Sequence, residues 1–350
     1  MQRLHPIRLE GSLHQTIWGG QRLALCGWKR LPSPDIAIGE AWETEINTVA
    51  QNEPYRGKTL GWLVEDLGVA LLGEQAIALS GNRFPLLAKF IDANDALSVQ
   101  VHPDDRYAAM LEGGKPGKTE FWYVLAAEPG ATIVHGFKAP TSSAQVRQAI
   151  EDRTLENLLN ERVVTAGDII FVPAGTVHAI GSGVMLYELQ QYSDITYRMY
   201  DYGRLTSDGT PRELHINKAL EVTHYDISPS IKVKAAPLMD RDGYEDRCLV
   251  ACQYFVSREI VLKQQGFMKS RTEGSCVILS SLAGEVKVHH GNTLEYSERL
   301  ARGQTMVLPA ALGDYCIEGE GVLIFSYVPG PGDEAWQAWE EKNRFTMPAS

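Results

Sequence analysis

Helical periodicity is confined to a few stretches of the chain. Residues 58–72 put Leu60, Leu63, Val64, Leu67 and Leu71 on one stripe, and glycines follow. Residues 143–160 open on Ser142 and Gln145 at capping-box spacing and carry Val146, Ile150, Leu155, Leu158 and Leu159. A third helix is expected at 333–343. Almost everything between reads as short β-branched or aromatic runs divided by Gly, Pro and Asp, the pattern of strands and turns.

An internal repeat organises these strands. EFWYVLAAEPGATIVHG (120–136) overlays SCVILSSLAGEVKVHHG (275–291) without a gap. Each copy is followed by a Gly-to-Pro unit of equal length, GDIIFVP (167–173) and GQTMVLP (303–309). Repeated strand-turn-strand units of this kind suit paired jelly rolls, which protect sheet edges by stacking two sheets. The predicted fold is therefore mainly β, with two jelly-roll (cupin-type) domains and a few short helices inserted. The first domain should span 1–235, with helical insertions at about 58–72 and 143–160. The second, degenerate roll should span 236–330, and 331–350 should form a partly helical tail. The join is expected near 226–240. The copies differ in chemistry: Glu120 faces Ser275, and His178, five past Pro173, faces Asp314, five past Pro309. The first roll is thus expected to hold a live site and the second to be structural.

Composition narrows the class. A length of 350 residues suits two average domains or one large one, and 44% hydrophobic with 22% charged residues is ordinary globular usage. The formal net charge of -11 repels nucleic acid and anionic lipid, so neither is an expected partner. An anionic small substrate remains allowed if the site concentrates positive charge. The first residues contain no apolar signal-peptide core, and no run of 18 apolar residues occurs anywhere. Five scattered cysteines make no CxxC pair or disulfide framework, which points to a reducing cytoplasm.

Candidate chemistry lies in four segments. In LSVQVHPDD, strand alternation puts Leu97, Val99 and Val101 on one face and Ser98, Gln100 and His102 on the other. Such a polar face is either wet or lines a functional cavity. In GKTEFWYVL, Glu120 shares a face with Lys118 and Trp122. A carboxylate there needs a metal or an ion pair, for which Lys118 is the near partner. In GDIIFVPAGTVHAIG, a Pro-Ala-Gly reversal delivers His178 to the start of a strand; alone it would read as an ordinary core histidine. Together Gln100, His102, Glu120 and His178 make an N2O2 donor set without sulfur, which suits zinc or another first-row divalent ion. In ELQQYSDITYRMYDYGR, Arg198 and Arg204 offer forks for phosphate oxygens, although each alone would more often be a surface ion-pair partner. Lys89, Lys115 and Arg212 are weaker candidates of the same kind. No nucleotide-binding glycine motif stands in a strand-to-helix context.

These segments, in this order and spacing, resemble the type I mannose-6-phosphate isomerases, and the compact length resembles their short bacterial branch. The resemblance begins at Trp18-Gly19-Gly20 and Gly39-Glu40-Ala41-Trp42 and runs through Arg212-Glu213-Leu214-His215, while the C-terminal third matches only in outline. It implies interconversion of mannose 6-phosphate and fructose 6-phosphate with one bound zinc. It also implies Gln100, His102, Glu120 and His178 as metal ligands, Arg198 as the active-site arginine, and Arg204 and Ser98 near the phosphate. Lys118 would lie close to the reacting carbons, with Trp18 and Glu40 lining the same pocket. Proton transfer between C1 and C2 through a cis-enediol needs a base, for which Lys118 is the first choice and Glu40 the second. Two alternatives carry different requirements. A cupin dioxygenase would use iron on a two-His-one-carboxylate site and leave the arginines idle. A non-catalytic sugar-phosphate-binding cupin would need the pocket but no base. The chain is expected to be a monomer or homodimer.

Overall fold

The computed structural model describes residues 4–344, except 34, 35, 207, 227–231, 242 and 292. Residues 227–231 of the join expected near 226–240, and 345–350 at the end of the tail, fall outside the described residues.

Alternating sequence produces alternating faces, and three antiparallel sheets result. A six-stranded sheet runs in the order Ile169–Val172, Glu120–Ala127, Val184–Gln191, Leu86–Ala93, Glu40–Trp42, Ser12–His14. A five-stranded sheet runs Tyr197–Tyr200, Val99–Val101, His178–Ile180, Thr132–Phe137, Leu159–Val163. Their inner faces meet through Ile91, Val124, Ile133, Ile170, Ile180 and Leu186, all nearly inaccessible to solvent. Burying an aliphatic side chain of this size stabilises by about 1.5–3 kcal/mol before entropy is counted.

Each outer face has its own cover. Behind the five-stranded sheet, Val99, Val101 and Val134 pack on the helices Ser143–Glu151 and Ile216–Val222 through Val146, Ile150 and Leu220. Behind the six-stranded sheet, Phe90, Phe121 and Tyr187 pack on Phe255, Ile278, Ile324 and Trp339 from the C-terminal part of the chain. That part supplies seven strands of a nine-stranded sheet around Ile260, Leu279, Val288, Met306, Ile317 and Phe325, and Ile7–Glu10 and Val49–Ala50 complete it. Its strands Val256–Arg271 and Val277–His290 carry register shifts at Leu262/Gly266 and Ser281/Ala283, the local bends that let long strands curl. The first strand, Ile7–Glu10, pairs with Thr305–Leu308, so the chain crosses the division expected at 235.

The repeat has a common pairing and a shifted register. Ile169 lies opposite Tyr123, whereas its counterpart Thr305 lies opposite Ser280, two residues beyond the position the overlay assigns. In the first copy a turn separates Glu120–Ala127 from Thr132–Phe137; in the second the same residues run as a single strand, Val277–His290.

Three expectations need correction. The helix expected over 143–160 ends at Glu151, because Arg153 takes a left-handed φ of 56°; Leu155–Asn157 is a 3-10 turn and Leu159–Val163 a strand. The capping prediction is half realised: Ser142 Oγ accepts the Gln145 N–H and donates to the Gln145 side-chain oxygen. Leu97 does not share the face of Val99 and Val101. It precedes the regular strand and joins the inner core. The expected helix at 58–72 is present as Leu60–Leu67 and Val69–Leu72, and the tail helix as Glu334–Asn343. Among the described residues no helix is long and apolar enough to cross a membrane.

Candidate metal centre and substrate cavity

Strand alternation delivers the first donors. With Val99 and Val101 directed outward, Gln100 points between the sheets, and the cross-strand row Arg198, Gln100, His178, His135 follows from the register. His102 leaves the strand one step later. His178 arrives through the Pro173-Ala174-Gly175 reversal, where Gly175 has φ +83° and a Cβ would lie 2.6 Å from the His224 ring. The Gly175 N–H donates to the His102 carbonyl at 2.8 Å, tying the two histidine loops together. Glu120 opens the third strand.

These residues converge. His102 Nε2 lies 3.5 Å from Glu120 Oε2, and His178 Nε2 lies 3.4 Å from Glu120 Oε1. One ligand atom from each of the three falls within 4.8 Å of the others, and all three side chains are buried. Gln100 Nε2 is 3.3 Å from His178 Nε2, and an amide flip would present its oxygen there instead. His178 Nδ1 lies 2.9 Å from the Thr176 carbonyl, which fixes Nδ1–H as donor and leaves the Nε2 lone pair for the centre.

The electrostatics suit a cation. Burial, with the nearby Lys118 and His178 charges, holds His102 well below the usual imidazole range. Burial likewise depresses His178 to about 3. Both rings are neutral and able to ligate. Burial and then Glu188 push Glu120 up to about 7 against the pull of Lys118. With Glu120 ionised, the form that can ligate a metal, the connected chain of charges holds three carboxylates, Glu40, Glu188 and Glu120, against two ammoniums, Lys89 and Lys118. In this balance the Lys118 ammonium sits 2.9 Å from His102 Nε2 and 2.7 Å from Glu120 Oε2. Two neutral imidazoles, a carboxylate and an unmatched negative charge make a donor set that fits a divalent metal ion.

A polar row leads away from the centre across the six-stranded sheet, where Trp122, Glu188, Lys89 and Trp42 stand opposite one another in register. Trp122 Nε1 donates to Glu120 Oε1 at 3.1 Å and to Glu188 Oε2 at 2.9 Å. Lys89 Nζ lies 3.2 Å from Glu188, 3.6 Å from Glu40 and 4.7 Å from the Trp42 ring centroid. Burial would lower Lys89, but Glu40 and Glu188 outweigh it and raise it.

Glu188, Lys89 and Trp42 of this row line a cavity of about 400 Å³. Trp18, Glu40, Ser98, Gln100, Lys118 and Arg198 all line it, as expected for a shared pocket, and so do Lys89, Glu188 and Arg212. Arg198 Nε donates to Ser98 Oγ at 3.2 Å and a terminal nitrogen donates to the Glu213 carbonyl at 2.9 Å. The segment Arg212–His215 therefore frames that guanidinium. Arg204 is not on the cavity wall. It bonds to Asp201 at 2.6 Å and to the Ala96 carbonyl, while Arg212 grips the same Asp201 with Nε at 2.8 Å.

Comparison with known proteins gives the family. Residues 7–120 match the family model for the catalytic domain of type I phosphomannose isomerase. Mannose-6-phosphate isomerase ManA of Bacillus subtilis is 36% identical over 330 residues, covering 92% of this chain and 99% of that protein. The mannose-6-phosphate isomerase of Streptococcus mutans is also 36% identical, covering 92% of this chain and 98% of its own. The chain belongs to the type I phosphomannose isomerase family. The crystal structure of the Bacillus subtilis mannose 6-phosphate isomerase superposes with a TM-score of 0.81 at 32% identity, covering 92% of this chain and 99% of that one.

Within a phosphomannose isomerase frame, Glu188 escaped sequence reasoning, and Lys89 entered it only as a weaker candidate for the phosphate. Glu188 was readable as one half of the alternation Tyr187, Glu188, Leu189, Gln190, but its motif drew attention to arginines. Lys89 sits in a strand that is buried at every position, LLAKFIDA, and a lysine in such a run already signals a buried ion pair.

Proposed function

We propose that the chain interconverts mannose 6-phosphate and fructose 6-phosphate by moving a proton between C1 and C2 of the open-chain sugar. The observation that carries this reading is the convergence of His102, Glu120, His178 and Lys118 beside a cavity that Lys118, Gln100 and Arg198 all line.

His102, Glu120 and His178 would hold the ion, with the Gln100 amide oxygen as fourth donor, and the all-N/O set favours zinc among common divalent metals. When bound, the ion supplies a Lewis acid for the carbonyl oxygen at which negative charge develops. In its neutral amine form, Lys118 Nζ, which lines the cavity, takes the C2 proton of the aldose. The C–H electron pair becomes the C1=C2 bond, and O1 gains a proton to give the cis-enediol. Loss of the O2 proton and return of the carbon-bound proton to C1 complete the ketose. Glu40, oriented by Trp42 Nε1 at 2.9 Å, serves the hydroxyl protons. Arg198, braced by Ser98, and Arg212, braced by Asp201, face the cavity as cations for the phosphate; Arg204 orients Asp201. Trp18 offers an apolar wall for the sugar. Five free cysteines support a cytoplasmic location.

Metal analysis combined with a coupled assay on mannose 6-phosphate decides the reading. About one zinc per chain and turnover that chelator abolishes and zinc restores are expected. Zinc-loaded protein with no turnover, or full activity after complete metal removal, would overturn it.

A further inference from the structure

The second acid of the HPDD sequence has no part in the chemistry above. Asp104 caps the helix Asp105–Leu111 by accepting the Tyr107 N–H at 2.7 Å. Asp105 turns the other way. Its Oδ1 accepts the Gly117 N–H at 2.7 Å and Gln191 Nε2 at 2.9 Å. Gln191, itself buried, accepts the Thr119 N–H on its side-chain oxygen at 2.9 Å and donates its own N–H to the Thr119 carbonyl at 3.1 Å. Between these anchors the Lys118 N–H donates to the Pro103 carbonyl at 3.0 Å. Residues 115–119 precede the strand that starts at Glu120 and carry no sheet ladder of their own. Gly117 lets this segment pass against the Asp105 loop, since a Cβ there would lie 2.5 Å from the Asp104 carbonyl carbon.

We propose that Asp105 and Gln191 are positioning residues that fix the backbone of Gly117–Thr119 and so aim Lys118 Nζ at the reacting carbons. The proposal rests on the proton-transfer role given to Lys118. A lysine has four side-chain torsions, so its ammonium is placed only if its backbone is placed. A misalignment of about 1 Å at a reacting group costs on the order of a hundredfold in rate. Burial and then the Asp105 carboxylate push the Tyr254 hydroxyl, from the C-terminal roll, up.

The test uses the full-length, metal-loaded protein with Asp105→Ala, Asp105→Asn and Gln191→Ala. Asp105→Ala and Gln191→Ala should lower kcat by about ten- to a hundredfold, leave KM within about twofold and leave metal content unchanged. The isotope effect with substrate deuterated at C2 should rise as proton transfer becomes more limiting. Asp105→Asn, which keeps an acceptor oxygen, should recover most of kcat. Gln191→Ala leaves the helix start alone and guards against a folding defect at Asp105. Reductive methylation read by mass spectrometry gives an activity-independent measure: Lys118, protected in the wild type, should label several-fold faster in both alanine variants. Unchanged kcat and unchanged labelling in folded variants would overturn the proposal, as would a loss matched in metal content with no change in isotope effect. An inactive wild type would instead overturn the isomerase reading, and the labelling result would still decide the bracket.

Discussion

The two copies of the repeat use one strand pairing for opposite ends. In the first, Glu120 is fully buried against His102, His178 and Lys118. Its counterpart Ser275 satisfies itself locally, donating to the Cys276 carbonyl at 3.0 Å and accepting the Val328 N–H at 3.1 Å. His178 is buried, whereas Asp314 is largely exposed and pairs with Arg271. The row Trp122, Glu188, Lys89, Trp42 crosses the first roll; Met306, Leu279, Phe325 and Arg258 cross the second, where Arg258 is matched by Asp246. Buried charge that closes on itself is structure. Buried charge left one positive short, with neutral imidazoles beside it, is a site prepared for something from outside.

The sharpest way to break that contrast is to remove a donor. Replacing His102 with Ala should abolish metal retention and cut turnover by at least about a hundredfold, as loss of a primary electrostatic stabiliser does. Metal content and initial rates measured on the same preparation check it. Equal activity in the variant would dissolve the difference between the rolls.

Next in size is the polar row. Lys89→Met would leave Glu188 and Glu40 facing each other without their shared cation. Removing one partner of a buried pair costs about 3–5 kcal/mol. Chemical denaturation of the metal-free variant should show that loss, and Glu188→Gln introduced into it should restore part of the stability, because it removes the carboxylate left unpaired. A loss under about 1 kcal/mol would mean water screens the row.

Much of this site was legible in the sequence because period-two alternation is enough to put Gln100 and His102 on one face. The Pro-Ala-Gly turn likewise announces His178. The sequence could not reveal which cation meets the phosphate. Arg204 and Arg212 are equally basic, both lie in loops and both bind Asp201, and only the fold brings Arg212 and not Arg204 to the cavity wall. The helices Arg22–Leu25, Glu74–Ser80 and Ile216–Val222 are too short to show a 3.6-residue period. Leu159 kept helical spacing while joining a strand, since one apolar spacing serves either element when the stretch is brief.

A pH titration sharpens the contrast further. In metal-free protein His178 titrates near 3 and His102 well below its usual 6.5, so the unfolded chain binds more protons as pH falls below about 6.5. Those two groups destabilise the fold on acidification. Glu120, raised to about 7, works the other way between about 7 and 4.5, because there the folded state holds the extra proton. Buried His135, also held below its usual range, adds to the imidazoles, and Glu43, raised by burial, adds to Glu120, so the imidazoles prevail and acidification costs on the order of 1 kcal/mol per pH unit for each proton left unbalanced. Denaturation midpoints of chelated protein across this window should fall accordingly. Changing His178 to Gln should remove one proton from the slope. A variant with the wild-type slope would place the titration elsewhere.

The smallest effect expected is at the mirrored position of the second roll. Ser275→Ala removes a hydroxyl that caps the Val328 N–H, leaving that donor short of a partner in a buried setting. The cost should be about 1–3 kcal/mol in folding stability. Turnover and metal content should stay within about twofold of wild type, since the hydroxyl touches no member of the centre. The same truncation at Glu120 should instead remove metal and turnover together. If Ser275→Ala slowed catalysis as strongly as it destabilised the fold, the second roll would have to be counted as part of the active site and not only as its support.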